Sequence, residues 1–258
     1  MFKKNQKTTL VLSGGGALGF VHFGVLKSLE QKQIKISEVI GTSFGAIAAA
    51  FLAIGHTCKE IDTVIEELHY LKLLKINIFS GNSLIEQTKI RKFLQEKFGD
   101  ITLNQTKIEI KIIATNIETG KIKVFDKNSK TKLIDAICAS ISIPAIFKPY
   151  QIEDKVYVDG FLCSNLPFEF SSNKKIIAID VITQKFVENF KYKYIPQIIE
   201  KSVNITILNQ TNHKLEINKN KQLQRIEIDV ENYKAYDFHK WKELIEIGEK
   251  EFDLKFKE

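Results

Sequence analysis

Seven of the 13 glycines in this 258-residue chain lie between Gly14 and Gly45, in two clusters. Each cluster follows a short apolar run and precedes a helical pattern. The first run is Thr8–Leu12 and the second is Val39–Gly41; Ala17–Lys32 and Phe44–Ile54 are the helices that follow. Strand, loop, helix, strand, loop, helix within this distance predicts a right-handed βαβ unit with two parallel strands. Glycine permits close backbone approach at an entropic cost, so such clusters imply loops that do something other than turn. In an open parallel sheet, loops at the carboxyl ends of neighbouring strands face one crevice. The two glycine loops are therefore expected to meet.

The second loop reads Gly41-Thr42-Ser43-Phe44-Gly45, a G-x-S-x-G between a strand and a helix. That is the sequence of a nucleophile elbow, in which a sharp turn lifts a serine hydroxyl clear of the sheet. Taken alone it equally describes a serine N-cap after a glycine turn. The first loop reads Ser13-Gly14-Gly15-Gly16-Ala17-Leu18-Gly19. Consecutive glycines expose several N–H donors that can hold a developing oxyanion. Gly14, Gly16 and Gly19 also satisfy the dinucleotide-binding spacing G-x-G-x-x-G. That rival needs an acid at the end of the second strand to hold a ribose. Here the second strand ends in Gly41-Thr42-Ser43, and Glu38 precedes it.

A serine nucleophile needs a base. His22 falls inside the first helix, where packing is its simplest role. His56, His69, His213 and His239 follow Ser43 in order, but none stands at a glycine-flanked strand end. Asp159 does, in Val156-Tyr157-Val158-Asp159-Gly160. An Asp-Gly pair is also the commonest mark of an ordinary turn, so this signal alone decides nothing.

The rest of the chain continues the alternation. Cys58–His69 and Ser83–Phe98 read as helices, and Lys107–Asn116 and Lys121–Phe125 as strands around the turn Glu118-Thr119-Gly120. Lys132–Ala139 reads as helix, and Val156–Val158 and Lys175–Val181 as strands. Gln197–Leu215 follows as a long helix, Gln224–Asp229 as a strand and His239–Phe252 as a closing helix. A single three-layer α/β/α domain over residues 1–258, with a mostly parallel central sheet, is the expected fold.

Charge narrows the function classes. The formal charge is +7, yet Arg91 and Arg225 are the only arginines. Base and phosphate readers favour arginine for bidentate contacts. A lysine-, asparagine- and isoleucine-rich composition of the kind an AT-rich genome imposes explains the charge without nucleic acid. A basic surface also suits anionic lipid. Cys58, Cys138 and Cys163 form neither a Cys-x-x-Cys pair nor an even set, so no disulfide framework or zinc site is expected. The basic Met1–Lys7 is followed by an apolar stretch that stops at Ser13, too short for a signal peptide. A cytoplasmic protein, with peripheral membrane contact open to it, is the expectation.

Together, Gly14–Gly19, Gly41–Gly45 and Asp159-Gly160, in this order and spacing, resemble the patatin-like phospholipases. Ala139-Ser140-Ile141-Ser142-Ile143-Pro144 with Phe147-Lys148-Pro149, and Ala114-Thr115-Asn116 with Thr119-Gly120, extend the resemblance over roughly Thr8 to Val181. The resemblance implies a Ser43–Asp159 dyad without histidine. It implies an oxyanion hole from Gly15 and Gly16 with help from Gly14, an elbow shaped by Gly41 and Gly45, and no metal or cofactor. Asp159 would then need burial, since an aspartate near its free pKa of ~3.9 is a weak base. Two positions depart from the family pattern. Leu18 stands where the family usually has Arg or Lys, and Phe161 follows Asp159-Gly160.

The implied activity is a lipid acyl hydrolase, phospholipase A or lysophospholipase in type, acting on phospholipid or another fatty acyl ester. A thioesterase or carboxylesterase would use the same dyad, and a dinucleotide-binding or catalytically silent lipid-binding protein is the more distant alternative. Leu68–Phe79 mixes large apolar residues with lysines. It fits an interfacial lid as well as a core-facing amphipathic helix.

Overall fold

A computed structural model of the chain describes residues 6–70, 87–183, 195–218 and 222–257. Residues 71–79 of the segment read as a lid or amphipathic helix lie outside the described residues.

Among the described residues, eight strands form one sheet. They are β1 (Thr8–Leu12), β2 (Glu38–Thr42), β3 (Glu109–Asn116), β4 (Ile122–Phe125), β5 (Tyr150–Ile152), β6 (Lys155–Asp159), β7 (Lys175–Asp180) and β8 (Gln222–Glu227). The connectivity runs β5-β6-β3-β2-β1-β7-β8, with β4 also paired to β3. The block β3-β2-β1-β7-β8 is parallel. Strands β4, β5 and β6 are antiparallel additions at one side. β1 is buried along its whole length, and its Leu10-Val11-Leu12 run fits a strand covered on both faces.

The helices are α1 (Val21–Gln31), α2 (Phe44–Ile54), α3 (Cys58–Tyr70), α4 (Thr88–Phe98), α5 (Leu133–Ser140), α6 (Phe161–Ser164), α7 (Ile195–Ile217) and α8 (Trp241–Lys255). Alternate strand residues separate the two faces. Leu10, Leu12, Val39, Ile110, Ile112 and Ile177 join the larger core, under α1, α2, α5 and α8. Val11, Ile40, Ile113, Ile176 and Ala178 face a thinner layer with Leu166, Phe168 and, on α7, Leu215. The expected α/β/α layering is thus present.

The first helix differs from its expected form. It opens as a 3-10 turn over Gly16–Phe20 and becomes α-helical only at Val21. Gly16 takes φ +57, and a Cβ there would stand 2.4 Å from the Ala235 carbonyl oxygen. Strand β5 is absent from the sequence reading. Its three residues are half-buried or exposed, and so short an edge strand carries no alternation to detect.

The register around β3 places the site. Ile113 pairs with both Thr42 and Val124, and Ala114 with both Lys123 and Asp159. A strand residue has one partner on each edge. β4 runs unbroken along one edge, so β2 and β6 share the other, end to end. β2 runs out at Thr42, and β6 arrives from the opposite direction to finish at Asp159.

Candidate active site

The turn expected to be a nucleophile elbow lies where the chain leaves β2 and enters α2. Ser43 has φ 55 and ψ −127, a backbone conformation that L-residues seldom occupy. It makes no side-chain cap to the helix, so the capping reading of G-x-S-x-G does not hold. A Cβ at Gly45 would stand 2.4 Å from the Leu12 carbonyl oxygen and 2.6 Å from that of Ser13. That contact sets the start of α2 directly on the end of β1. The two glycine loops therefore meet, as neighbouring parallel strands require.

Asp159 completes the arrangement. The Ser43 hydroxyl donates to Asp159 Oδ2 at 2.6 Å. The other carboxylate oxygen accepts the Phe161 backbone N–H at 3.0 Å. Asp159 has no solvent exposure and Ser43 only 3%. Burial pushes the Asp159 carboxyl up to about 7, against the opposing pull of the two hydrogen bonds from Ser43 and Phe161. Phe161 therefore acts through its backbone, at the start of α6.

The end of α5 and the loop that follows it fasten both residues from behind. The Ser43 N–H donates to Ser140 Oγ at 2.8 Å, and that hydroxyl donates to the Ile113 carbonyl at 2.6 Å. Two residues on, the Ser142 carbonyl accepts the Asp159 N–H at 3.0 Å. Thr115 Oγ1 donates to the Asp159 carbonyl at 3.0 Å. The segment matched only by resemblance in the sequence is thus a clamp on the pair.

The glycine loop is built differently from expectation in one respect. The Gly14 N–H donates to the Asn165 carbonyl at 3.2 Å, so it is not available to an oxyanion. Gly14 instead provides proximity: a Cβ there would come within 3.0 Å of Ser43 Cβ. The N–H groups of Gly15 and Gly16 have no acceptor among the described residues, and both glycines are partly exposed. Asn165 escaped the sequence reading. It is buried, its side-chain amide reaches the Gly14 carbonyl at 3.4 Å, and its Oδ1 has no partner among the described residues. The only available signal was a polar residue ahead of Leu166-Pro167, six positions after Asp159.

His22 is buried in α1 with Nε2 2.8 Å from the Ser13 carbonyl oxygen. Burial lowers its pKa to about 4, the hydrogen bond to Ser13 opposing, so the ring is neutral and Nε2 carries the proton. It packs, as expected, and also ties down the start of the glycine loop. Neither His56, His213 nor His239 hydrogen-bonds Ser43 or Asp159, and the His69 side chain lies outside the described residues. Glu38 sits at the opposite, amino-terminal end of β2, buried and paired to Lys111 at 2.7 Å. The acid nearest to a dinucleotide arrangement is thus part of a structural ion pair, far along the strand from the glycine loops.

Leu18 is buried and lines a cavity of about 190 Å³ with Val181, Ile182, Asn204, Tyr233 and Tyr236 among its walls. A Cβ on Gly15 would meet Val181 Cγ2 at 2.5 Å, so this cavity lies against the glycine loop. The position that usually bears a cation here contributes apolar wall.

The family model of patatin-like phospholipase matches residues 10–170. A protein of Invertebrate iridescent virus 6 named "Probable lipid hydrolase 463L" is 30% identical over 242 residues, which is 81% of this chain and 80% of that one. An NTE family protein of Mycobacterium bovis is 28% identical over 169 residues, covering 63% of this chain and 45% of its own. Among solved structures, VipD from Legionella pneumophila superposes with a TM-score of 0.55 at 12% identity, over 96% of this chain and 66% of its own, a likeness of fold. With the glycine loop, the elbow and the matched region coinciding, the chain belongs to the patatin-like phospholipase family of hydrolases.

Proposed function

We propose that this hydrolase cleaves fatty acyl esters of phospholipids, phospholipase A or lysophospholipase in type, through Ser43 and Asp159 and an acyl-enzyme. The observation that carries the proposal is the 2.6 Å hydrogen bond from the Ser43 hydroxyl to a fully buried Asp159. A buried carboxyl with a pKa of about 7 is poised to take and return a proton near neutrality.

Ser43 Oγ attacks the ester carbonyl carbon while its proton passes to Asp159 Oδ2. The carbonyl electrons move onto oxygen, and the Gly15 and Gly16 N–H groups receive that charge. Collapse re-forms the carbonyl and breaks the bond to the leaving alkoxide, which takes the proton from Asp159. Water then attacks the acyl-enzyme, giving its proton to Asp159, and the second collapse releases the fatty acid. The proton returns to Ser43 Oγ. Asp159 carries the proton through both steps, and one water and the ester supply the remaining atoms.

The test is a fluorophosphonate probe followed by peptide mapping. Label on Ser43, absent from Ser43→Ala, is the expected outcome. Asp159→Asn will lose at least ~10²-fold in turnover of a short-chain ester, the usual worth of a positioned base. Label at another residue, or near-normal turnover in Asp159→Asn, overturns the dyad.

A further inference from the structure

α7 differs from the other long helices in what it shows to water. From Ile195 to Asn212 its exposed described positions are all isoleucine, serine, threonine or asparagine. Ile195 is 73% exposed, Ile199 58%, Ile198 40% and Ile205 39%. Their spacing keeps them on one side of the helix. Ser202 and Thr206, between and beside them, are polar without charge and direct their hydroxyls back to the Ile198 and Ser202 carbonyls. By contrast, α8 exposes Lys242, Glu243, Glu246 and Lys250, and α4 exposes Lys89, Lys92 and Glu96. In a chain with 27% charged residues, an outward helix face this long without a charge is a specific feature.

The face is fixed beside the active site. Gln210 on α7 accepts the Asn165 N–H at 3.2 Å and donates to the Leu162 carbonyl at 3.2 Å. The Asn165 carbonyl in turn holds the Gly14 N–H. Leu162, on α6, is itself 45% exposed. The inward side of α7, at Glu200, Lys201 and Asn204, lines the cavity against the glycine loop. Between Ile195 and Asn212 the helix thus turns its charged residues toward the protein and its exposed isoleucines away from it.

We propose that the outward face of α7 is the surface by which this enzyme docks on an anionic lipid bilayer, bringing the glycine loop and Ser43 to the membrane. The inference rests on the lipid-hydrolase reading for its choice of partner. The net charge of +7 draws the chain to an anionic surface, and the uncharged isoleucine stripe then enters it without burying a charge. An amphipathic helix that lies in the interface binds through both terms together.

Binding is measured by flotation with phosphatidylcholine–phosphatidylglycerol vesicles, in a Ser43→Ala background so that no lipid is consumed. Ile198→Asn/Ile205→Asn will bind at least ~10-fold more weakly. In the Ser43 background the same pair will hydrolyse a soluble short-chain ester at the parental rate and melt at the parental temperature. A second variant guards against misfolding: Ile199→Trp will shift its emission to the blue on vesicle addition, and Lys250→Trp on α8 will not. Unchanged flotation of the isoleucine pair, or an unchanged Ile199→Trp emission, overturns the proposal. So does sedimentation showing a dimer that the isoleucine pair dissolves, which would assign the face to a second copy. Loss of the functional reading shows separately, as ester turnover that survives Ser43→Ala.

Discussion

Ser140 holds Ser43 by its backbone: its hydroxyl accepts the Ser43 N–H at 2.8 Å and passes its own proton to the Ile113 carbonyl at 2.6 Å. Both residues are buried, so the elbow's amide has no water to fall back on. Ser140→Ala leaves that N–H unsatisfied, at a cost of about 1–3 kcal/mol. The loss will appear in urea denaturation. With Ser43 as the proposed nucleophile, kcat will fall more than KM rises. Equal stability and unchanged kcat would show that Ser140 is a bystander.

In the proposed mechanism Asp159 must be ionised to act as base, and burial pushes its carboxyl up to about 7. Turnover of a short-chain ester will therefore climb as pH passes through that value, with its acid limb near 7 rather than in the ordinary carboxylate range. The profile is read as kcat/KM against pH, after subtraction of the uncatalysed rate. An acid limb near 4 would mean that the buried carboxyl is not the base.

The same group sets a stability trend. The folded carboxyl is raised from 3.8 to about 7, so between those values the folded state holds a proton that the unfolded state has lost. Its contribution is fully present below 3.8 and is lost as pH rises through 7. Asn carries no such proton. Between roughly pH 5 and pH 8.5, Asp159→Asn will gain about 3 kcal/mol on the parent in urea titrations. A constant difference across that range would contradict the burial of the charge.

Backbone strain at Ser43 reverses a familiar order. Glycine in a folded position usually costs more than alanine, because its unfolded chain is freer. At φ 55 and ψ −127 an alanine keeps the strain and a glycine relieves it. Both variants lack the hydroxyl, so their comparison isolates the backbone. Ser43→Gly will be more stable than Ser43→Ala by about 1 kcal/mol, in the range expected for a strained residue. Thermal unfolding decides it; alanine as the more stable variant would remove the strain argument.

Much of this was legible along the chain because it is local. Thr8–Leu12 and Phe44–Ile54 occupy the expected residues, since each is a strand or helix whose apolar pattern is complete in itself. The elbow is equally local, a strand, a turn and a helix start within a few residues. Asp159 was visible as a strand end, and its pairing with Ser43 only through the family resemblance. Asn165 and Ser140 carried no local mark of their roles, because each acts through a backbone group on a distant segment.

By itself, then, the sequence determined the βαβ unit, the meeting of its two glycine loops and the serine between them. Resemblance named Asp159 as the partner, and tertiary structure brings the two together. Ser43 and Asp159 stand 116 residues apart and touch because β2 and β6 meet end to end on one edge of β3. No periodicity encodes that, since it depends on where two strands stop against a third. Tertiary structure also gave the Gly14 N–H to the Asn165 carbonyl. It set the basicity of Asp159 as well, because a carboxyl's pKa follows from the water it has lost, and burial belongs to the whole fold.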